Sequence, residues 1–330
     1  MPDYTRILCA VDYSEPSRRA LDCALWWARW HGANLSVLHV HQQATPVVDA
    51  SLTGDHAAVD TVAPPVVQPA PLSPQEREAM MENLAGFVGG RRTDGVEVEL
   101  LLEEDPSVAD AVLARAEALA CDLIVMSITG EESAPSQSAV GRETAAVMSG
   151  AGCAVLCVPA PAGDGPDTRL ARLDRIVCPV SFSDPSRLAL AVAGELAAQA
   201  AAHLTVMHVV ELSQVAASAY DFDAYREERI EPACRQITEL VSDTVADVAA
   251  VEEVVVTGAP ETEILKAAHH WEADLLVLGA GASPVASATG TTLEKVARET
   301  PCPVLVVGGG PLAAALLHPV RAALPVDATR

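Results

Sequence analysis

The sequence predicts an α/β protein made of two tandem, doubly wound domains that are related by a pseudo-two-fold axis. Each domain is expected to contain a five-stranded parallel sheet of strand order 3-2-1-4-5. Residues 6–40 align without a gap to residues 175–209, and 17 of these 35 positions are identical, which indicates a tandem duplication. Within each copy, strand-like apolar runs alternate with helical segments, and such alternation is typical of a parallel sheet covered by helices on both faces.

The elements of the first copy follow in order. Ile7–Asp12 is a nearly unbroken apolar run, as expected for a strand buried on both faces. Ser14 is a good N-cap and Pro16 a good first-turn residue for a helix that ends near His31. Later strands are predicted over residues 35–40, 96–102, 123–126 and 154–158, with helices from about residue 74, over 108–120 and from 141. The second copy repeats this order, with a longer second helix around residues 219–248.

The duplication also sets the expected domain boundaries. We predict a first domain over residues 1–160, with a Pro-rich insertion at 42–73, and a second domain over residues 174–310. The Pro, Gly and Asp-rich residues 161–173 have the composition of a linker. Residues 311–330 form a tail whose first part, residues 311–324, is apolar enough to pack on another surface, for which a second subunit is one candidate.

Charge and cysteine content exclude several classes of function. The chain has 45 acidic and 21 basic residues and a net charge of −24, which opposes binding to nucleic acid or to anionic membranes. We see no export signal and no apolar run of the roughly 18 residues that a membrane span needs, so we expect a cytoplasmic location. The eight cysteines show no CxxC or paired His and Cys spacing, so neither a disulfide scaffold nor a metal site is predicted.

The predicted topology gives each copy one ligand crevice. The strand order reverses between the first and fourth strands, and ligands bind beyond the carboxyl ends of such strands. The loop after Leu278, residues 279–292, reads GAGASPVASATGTT and ends where a helix is expected to begin. Glycines allow the backbone to approach a phosphate, and the amides at a helix N-terminus attract anions. This loop is therefore a candidate phosphate cradle.

The motifs resemble those of the universal stress protein family, with two such units in one chain. The second copy contains, in order, RIVCPVSFSDPS, VTGAPETEILKAA, EADLLVLG and ETPCPVLVV. The resemblance covers both copies and implies a Rossmann-like fold, a role in stress survival, and pairing of the two last strands, residues 154–158 and 304–307, across the pseudo-two-fold axis. Members of the family that bind ATP resemble one another in an Asp that ends the first strand and in a Gly-x2-Gly-x9-Gly-Ser/Thr loop after the fourth.

Each copy departs from that binding pattern differently. The first keeps the Asp, but it has Ser127 in place of the first glycine and Arg142 in place of the hydroxyl residue, and Glu131 and Glu132 would repel a triphosphate. The second keeps the first glycine and the hydroxyls at the helix start, but a serine replaces the Asp and the loop is shorter. We therefore expect an adenine nucleotide such as ATP, with Mg²⁺ bound only through it, in the second copy more than in the first.

The residues predicted to contact the nucleotide come from both copies. In the first copy they are Ala10, Asp12, Val40, Met126, Ser127, Gly130, Gly141 and Arg142. In the second copy they are Pro179, Val180, Ser181, Val209, Leu278, Gly279, Gly281, Gly290, Thr291 and Thr292.

Two other groups of residues receive structural interpretations. His39 and His208 occupy equivalent positions near the ends of the second strands, and we interpret them as packed histidines with one satisfied nitrogen rather than as ligands. Trp26, Trp27 and Trp30 lie on the first helix and are expected to pack that helix on the sheet, with partner binding as the alternative for any exposed face.

No catalytic constellation is evident, so the predicted function is a non-enzymatic regulatory module. Two alternatives stay open. One is a nucleotide-free scaffold or adaptor whose crevices have degenerated, and the other is a slow ATPase, against which the lack of a residue to orient water counts. The tandem chain would form an intramolecular pseudo-dimer, and pairing of two chains as a homodimer is a further option.

Overall fold

The structure, a computed structural model, describes residues 4–42, 71–91, 93, 95–128, 141–160, 173–211, 226–245, 248–280 and 291–308. In the first half these residues form β1 (Arg6–Val11), α1 (Glu15–His31), β2 (Asn34–His41), α2 (Pro74–Gly89), β3 (Val98–Glu104), α3 (Val108–Ala118), β4 (Leu123–Ser127), α4 (Arg142–Gly150) and β5 (Ala154–Val158). In the second half they form β6 (Arg175–Pro179), α5 (Asp184–Ala200), β7 (His203–Val210), a π-helical turn (Arg226–Ile230), α6 (Glu231–Thr244), β8 (Val251–Thr257), α7 (Pro260–His270), β9 (Leu275–Gly279), α8 (Thr292–Glu299) and β10 (Val304–Val307).

The ten strands form one continuous sheet. Their order is β3-β2-β1-β4-β5-β10-β9-β6-β7-β8, so each half is a parallel sheet whose strand order reverses between its first and fourth strands. The halves join through β5 and β10, which pair antiparallel with Leu305 opposite Leu156. The predicted α/β fold class is confirmed, and the two last strands pair as the family resemblance implied.

Two apolar cores lie on the two faces of this sheet, and both contain residues from both halves. Helices α1, α2, α5 and α6 cover one face, and α3, α4, α7 and α8 cover the other. Trp27 is 2% exposed, while Trp26 and Trp30 are half-buried and pack against the first core. The tryptophan group on α1 therefore belongs to the packing of this helix on the sheet.

The helix starts follow local sequence signals. Ser14 caps α1 by accepting a hydrogen bond from the Ser17 amide, as its position before Pro16 predicted. The helix predicted around residues 219–248 is present in its described part, but it is α-helical only over α6 (Glu231–Thr244) and ends before residue 248. Pro232 has no N–H with which to continue the α-helical ladder backwards, and a π-helical turn precedes the helix.

Several predicted segments lie outside the described residues. These are residues 219–225, most of the Pro-rich insertion (43–70), the linker residues 161–172 and the tail with the two residues before it (309–330). The predicted domain boundaries and the packing of the tail therefore stay predictions. Among the helices of the described ranges, none combines the length and the apolar character that crossing a bilayer requires.

Candidate functional site

The carboxyl ends of β1 and β4 define the first crevice, and those of β6 and β9 define the second. Ala10, Val40 and Met126 are buried in the same core, on the sheet face covered by α3 and α4. In the second crevice, Val209 and Leu278 belong to that same core. These five residues thus belong to or pack against the apolar core on this face of the sheet, and their contact with a ligand stays a prediction.

The other residues predicted to contact a nucleotide lie outside this core or outside the described residues. Pro179 ends β6 and is half-buried, whereas Val180 is buried in the core on the opposite face of the sheet. Gly130, Gly281 and Gly290 lie outside the described residues.

Asp12 organises the first turn of α1. Its carboxylate accepts hydrogen bonds from the Ser14 amide (3.1 Å), from the Ser14 hydroxyl (2.5 Å) and from the Ser17 hydroxyl. The Asp12 amide in turn donates to Ser17 Oγ at 3.1 Å. A carboxylate at the N-terminus of a helix is also favoured by the helix dipole. Asp12 is therefore bound to the start of α1 by its own neighbours in sequence.

Ser181 occupies the equivalent position in the second half and holds the turn before α5 through hydrogen bonds between uncharged groups. Its hydroxyl lies 3.0 Å from Ser183 Oγ, and its amide donates to Ser186 Oγ at 3.2 Å. The Ser186 hydroxyl donates to the Ser183 carbonyl (2.9 Å) instead of to a carboxylate. The start of α5 thus keeps its shape although the acidic residue is absent.

An aromatic ring follows each of these positions and packs on a histidine. Tyr13 lies 4.3 Å from His39 and Phe182 lies 4.4 Å from His208, measured between ring centroids. Both aromatic residues have positive φ angles, 65° and 60°, which turn the chain sharply at the end of the strand.

Each histidine is fixed by the strand beside it. Nδ1 of His39 donates to the Val11 carbonyl (2.9 Å) and Nδ1 of His208 to the Val180 carbonyl (2.8 Å), so each neutral ring carries its proton on Nδ1. Burial lowers the pKa of His39 below its ordinary value. The interpretation of both as packed histidines with one satisfied nitrogen agrees with this geometry.

Gly279 is required by packing. A Cβ atom at this position would lie 2.4 Å from the Pro185 carbonyl oxygen and 2.8 Å from the Ser186 amide nitrogen. The end of β9 therefore lies directly against the first turn of α5, and this contact accounts for the glycine without any ligand. Ser127 occupies the equivalent place in the first half and is buried.

The residue before α4, Gly141, is hydrogen-bonded to the main chain. The Gly141 amide donates to the Ile128 carbonyl at 2.9 Å, and the Thr144 hydroxyl donates to the Ser127 carbonyl at 3.0 Å. Arg142 points into solvent, with 93% of its side chain exposed, and lies 3.4 Å from Glu143. The Gly141 amide is thus already used within the protein.

The N-terminus of α8 carries a capping box. Thr291 Oγ1 accepts from the Glu294 amide (3.3 Å), and the Thr291 amide donates to Glu294 Oε2 (3.0 Å). Thr292 begins the helix and is exposed. The Glu294 carboxylate consequently lies where the sequence predicted a phosphate. The Thr-x-x-Glu spacing is the signal that could have revealed this contact from the sequence.

A cavity of about 440 Å³ opens beside the second crevice. Phe182, His208 and the ends of β7 and α6 form its walls, and the residues that line it are Phe182, His208, Val209, Val210, Glu211, Glu228, Arg229, Pro232, Ala233 and Gln236. The sequence predicted only Val209 among them. The remaining lining residues come from three separate segments, which no local pattern connects.

Within the ranges that the structure describes, no group of three or more His, Cys, Asp or Glu side chains is arranged to hold a metal ion.

Comparison with known proteins gives both a family and a fold. The model of the Universal stress protein family matches residues 3–159 and again residues 172–308. A universal stress protein from Archaeoglobus fulgidus is 18% identical, with a TM-score of 0.61 over 94% of this chain and 98% of that one. A functionally unknown protein from Pseudomonas aeruginosa is 17% identical, with a TM-score of 0.60 over 97% and 98%. At these identities the solved structures support the fold alone, and no curated protein matches significantly.

Proposed function

Because the chain belongs to the universal stress protein family, we propose that it is a non-enzymatic regulatory module that binds an adenine nucleotide in its second half. ATP is the nucleotide that the resemblance implies. The base and sugar would lie in the cavity beside Val209, and the phosphates would extend toward the N-terminus of α8.

The cavity is the observation that carries this proposal. Its volume of about 440 Å³ lies within the usual range for small-molecule sites. Phe182 and His208 offer ring faces on which a base can stack, and Pro232 and Ala233 add apolar wall. Arg229 supplies a positive charge among the lining residues, beside the two carboxylates of Glu211 and Glu228.

The N-terminus of α8 supports the position of the phosphates, because the main-chain amides and the dipole of a helix attract anions at its N-terminus. Glu294 already satisfies the Thr291 amide, so a phosphate would have to compete with this carboxylate. We therefore expect nucleotide affinity to be limited by Glu294.

Calorimetric titration with ATP and Mg²⁺ tests the proposal. Thr291→Asp adds a negative charge beside the phosphates and should weaken binding at least tenfold, whereas Glu294→Gln removes the competing charge and should strengthen it severalfold. The α2 helix has the same capping box, formed by Ser73 and Glu76, so Ser73→Asp and Glu76→Gln are matched controls that should leave the affinity unchanged. Equal effects in the two pairs would contradict the proposal.

One observation favours the scaffold alternative. The packing of Gly279 against Pro185 and the capping box of Thr291 and Glu294 explain these residues without a ligand. A chain that copurifies without nucleotide and gives no heat with ATP would support the scaffold. Release of phosphate during a single turnover would instead support an ATPase.

A further inference from the structure

The two halves can be compared position by position around the cavity. Leu84 of α2 and Ile237 of α6 are both buried, and each precedes the first residue of the next strand by the same interval (98 − 84 = 251 − 237 = 14). The neighbouring buried positions agree as well, with Phe87 and Val88 matched by Leu240 and Val241. Helices α2 and α6 therefore correspond without a gap over this stretch.

One helical turn before Leu84 and Ile237, the corresponding side chains of α2 and α6 differ in size. Met80 lies four positions before Leu84, and Ala233 lies four positions before Ile237, which places each on the same helix face as the buried residue. Ala233 is 5% exposed and lines the cavity. A methionine there would extend three more heavy atoms from the helix into this space.

The opposite wall is nearly the same in the two halves. Tyr13 on His39 and Phe182 on His208 have almost equal ring separations, 4.3 and 4.4 Å, and both histidines are fixed by a strand carbonyl. In the first half a further ring, Phe87, packs edge-on against Tyr13 at 5.5 Å. The difference thus lies in the helix wall.

We propose that Ala233 determines which half accepts the nucleotide, because its small side chain leaves room for the base against Phe182, whereas the longer side chain of the half-buried Met80 stands at the corresponding position in the first half. Ala233 is a specificity-determining residue in this view, and the ligand part that it admits is a planar aromatic base. This inference rests on the proposed function.

The test is a titration with ATP and Mg²⁺ of the full chain and of three variants. Ala233→Met should reduce the affinity at least tenfold, since the longer side chain occupies the space for the base. Cys234→Met places the same side chain on the exposed neighbouring position of this helix, outside the cavity lining, so its affinity should equal that of the unchanged chain. Met80→Ala, the matched control in the first half, should leave the affinity of the second half unchanged.

The outcomes separate the two proposals. If the unchanged chain fails to bind ATP, the proposed function is wrong and Ala233 has no nucleotide to select. If the unchanged chain binds and Ala233→Met binds equally well, the function stands and the role of Ala233 is overturned. Thermal unfolding of Ala233→Met shows whether it is folded, and a folded variant with lost binding supports the inference. If Ala233→Met does not fold, a loss of affinity in Ala233→Leu, with Cys234→Met unaffected, gives the same support, and unchanged binding in Ala233→Leu overturns it.

Discussion

The first and second crevices have the same backbone fold, but different hydrogen bonds hold the turns beside them. The turn after β1 is held by the Asp12 carboxylate, whereas the turn after β6 is held by hydroxyl groups around Ser181. At the end of the fourth strand the first half has Ser127, while the second half has Gly279 tightly packed on α5. The same fold is thus compatible with different hydrogen bonds and different packing at corresponding positions of the two halves.

This comparison shows that a motif residue can be retained for packing as well as for binding. Gly279 looks like part of a phosphate loop in the sequence, yet its contact with Pro185 already excludes any side chain. Asp12 looks like a ligand-binding carboxylate, yet it also anchors the first turn of α1. Substitutions at these positions are therefore expected to lower the stability of the fold, through lost packing or capping, whether or not they affect binding.

The largest expected effect comes from Gly279→Ala. The new Cβ would meet the main chain at Pro185 and Ser186, which cannot move aside as a flexible side chain can, so we expect a loss of about 3 kcal/mol in the free energy of unfolding. Urea denaturation followed by circular dichroism measures it. Ser127→Ala, the matched change in the first half, should cost less than about 1 kcal/mol. An unchanged midpoint for Gly279→Ala would show that the close contact is not present in solution.

A smaller effect is expected for Asp12→Ala. The variant removes the acceptor of hydrogen bonds from Ser14 and Ser17 at the start of α1, which should cost about 2 kcal/mol. Ser181→Ala removes only a contact between two hydroxyls and should cost about 0.5 kcal/mol or less. The same urea titration compares them, and similar losses in both would refute the contrast between the two turns.

The smallest effect concerns the helices that follow the fourth and third strands. In the second half, Lys295 of α8 bonds Glu261 of α7 at 3.0 Å, whereas in the first half Glu143 of α4 accepts from the Ala109 amide of α3 at 2.8 Å. The main-chain amide of Glu261, and next the Lys295 ammonium, hold the pKa of the Glu261 carboxyl below its ordinary value.

Lys295→Met should therefore destabilise the chain by about 0.5 kcal/mol at neutral pH. Since the folded pKa of Glu261 lies below its unfolded value, this contribution is present above the unfolded pKa and disappears as the pH falls through the folded pKa. Thermal unfolding at neutral and acid pH tests this, with the difference between Lys295→Met and the unchanged chain expected to vanish in acid. A difference that persists in acid would exclude the ion pair as its cause.

The sequence was informative wherever a signal is local or duplicated. The buried strands, the Ser14 cap and the alignment of residues 6–40 with 175–209 were sufficient to predict the fold class. The reason for Gly279 was not predictable, because Pro185 approaches it only through the tertiary fold. The cavity was not predictable for the same reason, since Phe182 and Ala233 meet only after β6, β7 and α6 have packed.

The antiparallel junction of β5 and β10 also bears on how the two crevices can change over generations. When two identical chains associate, every substitution alters both sites at once, and the association weakens on dilution. Here the partner strands belong to one polypeptide, so their effective concentration is fixed by the covalent connection. Each crevice can therefore acquire its own substitutions while the other stays unchanged, so the two crevices of one chain can diverge independently.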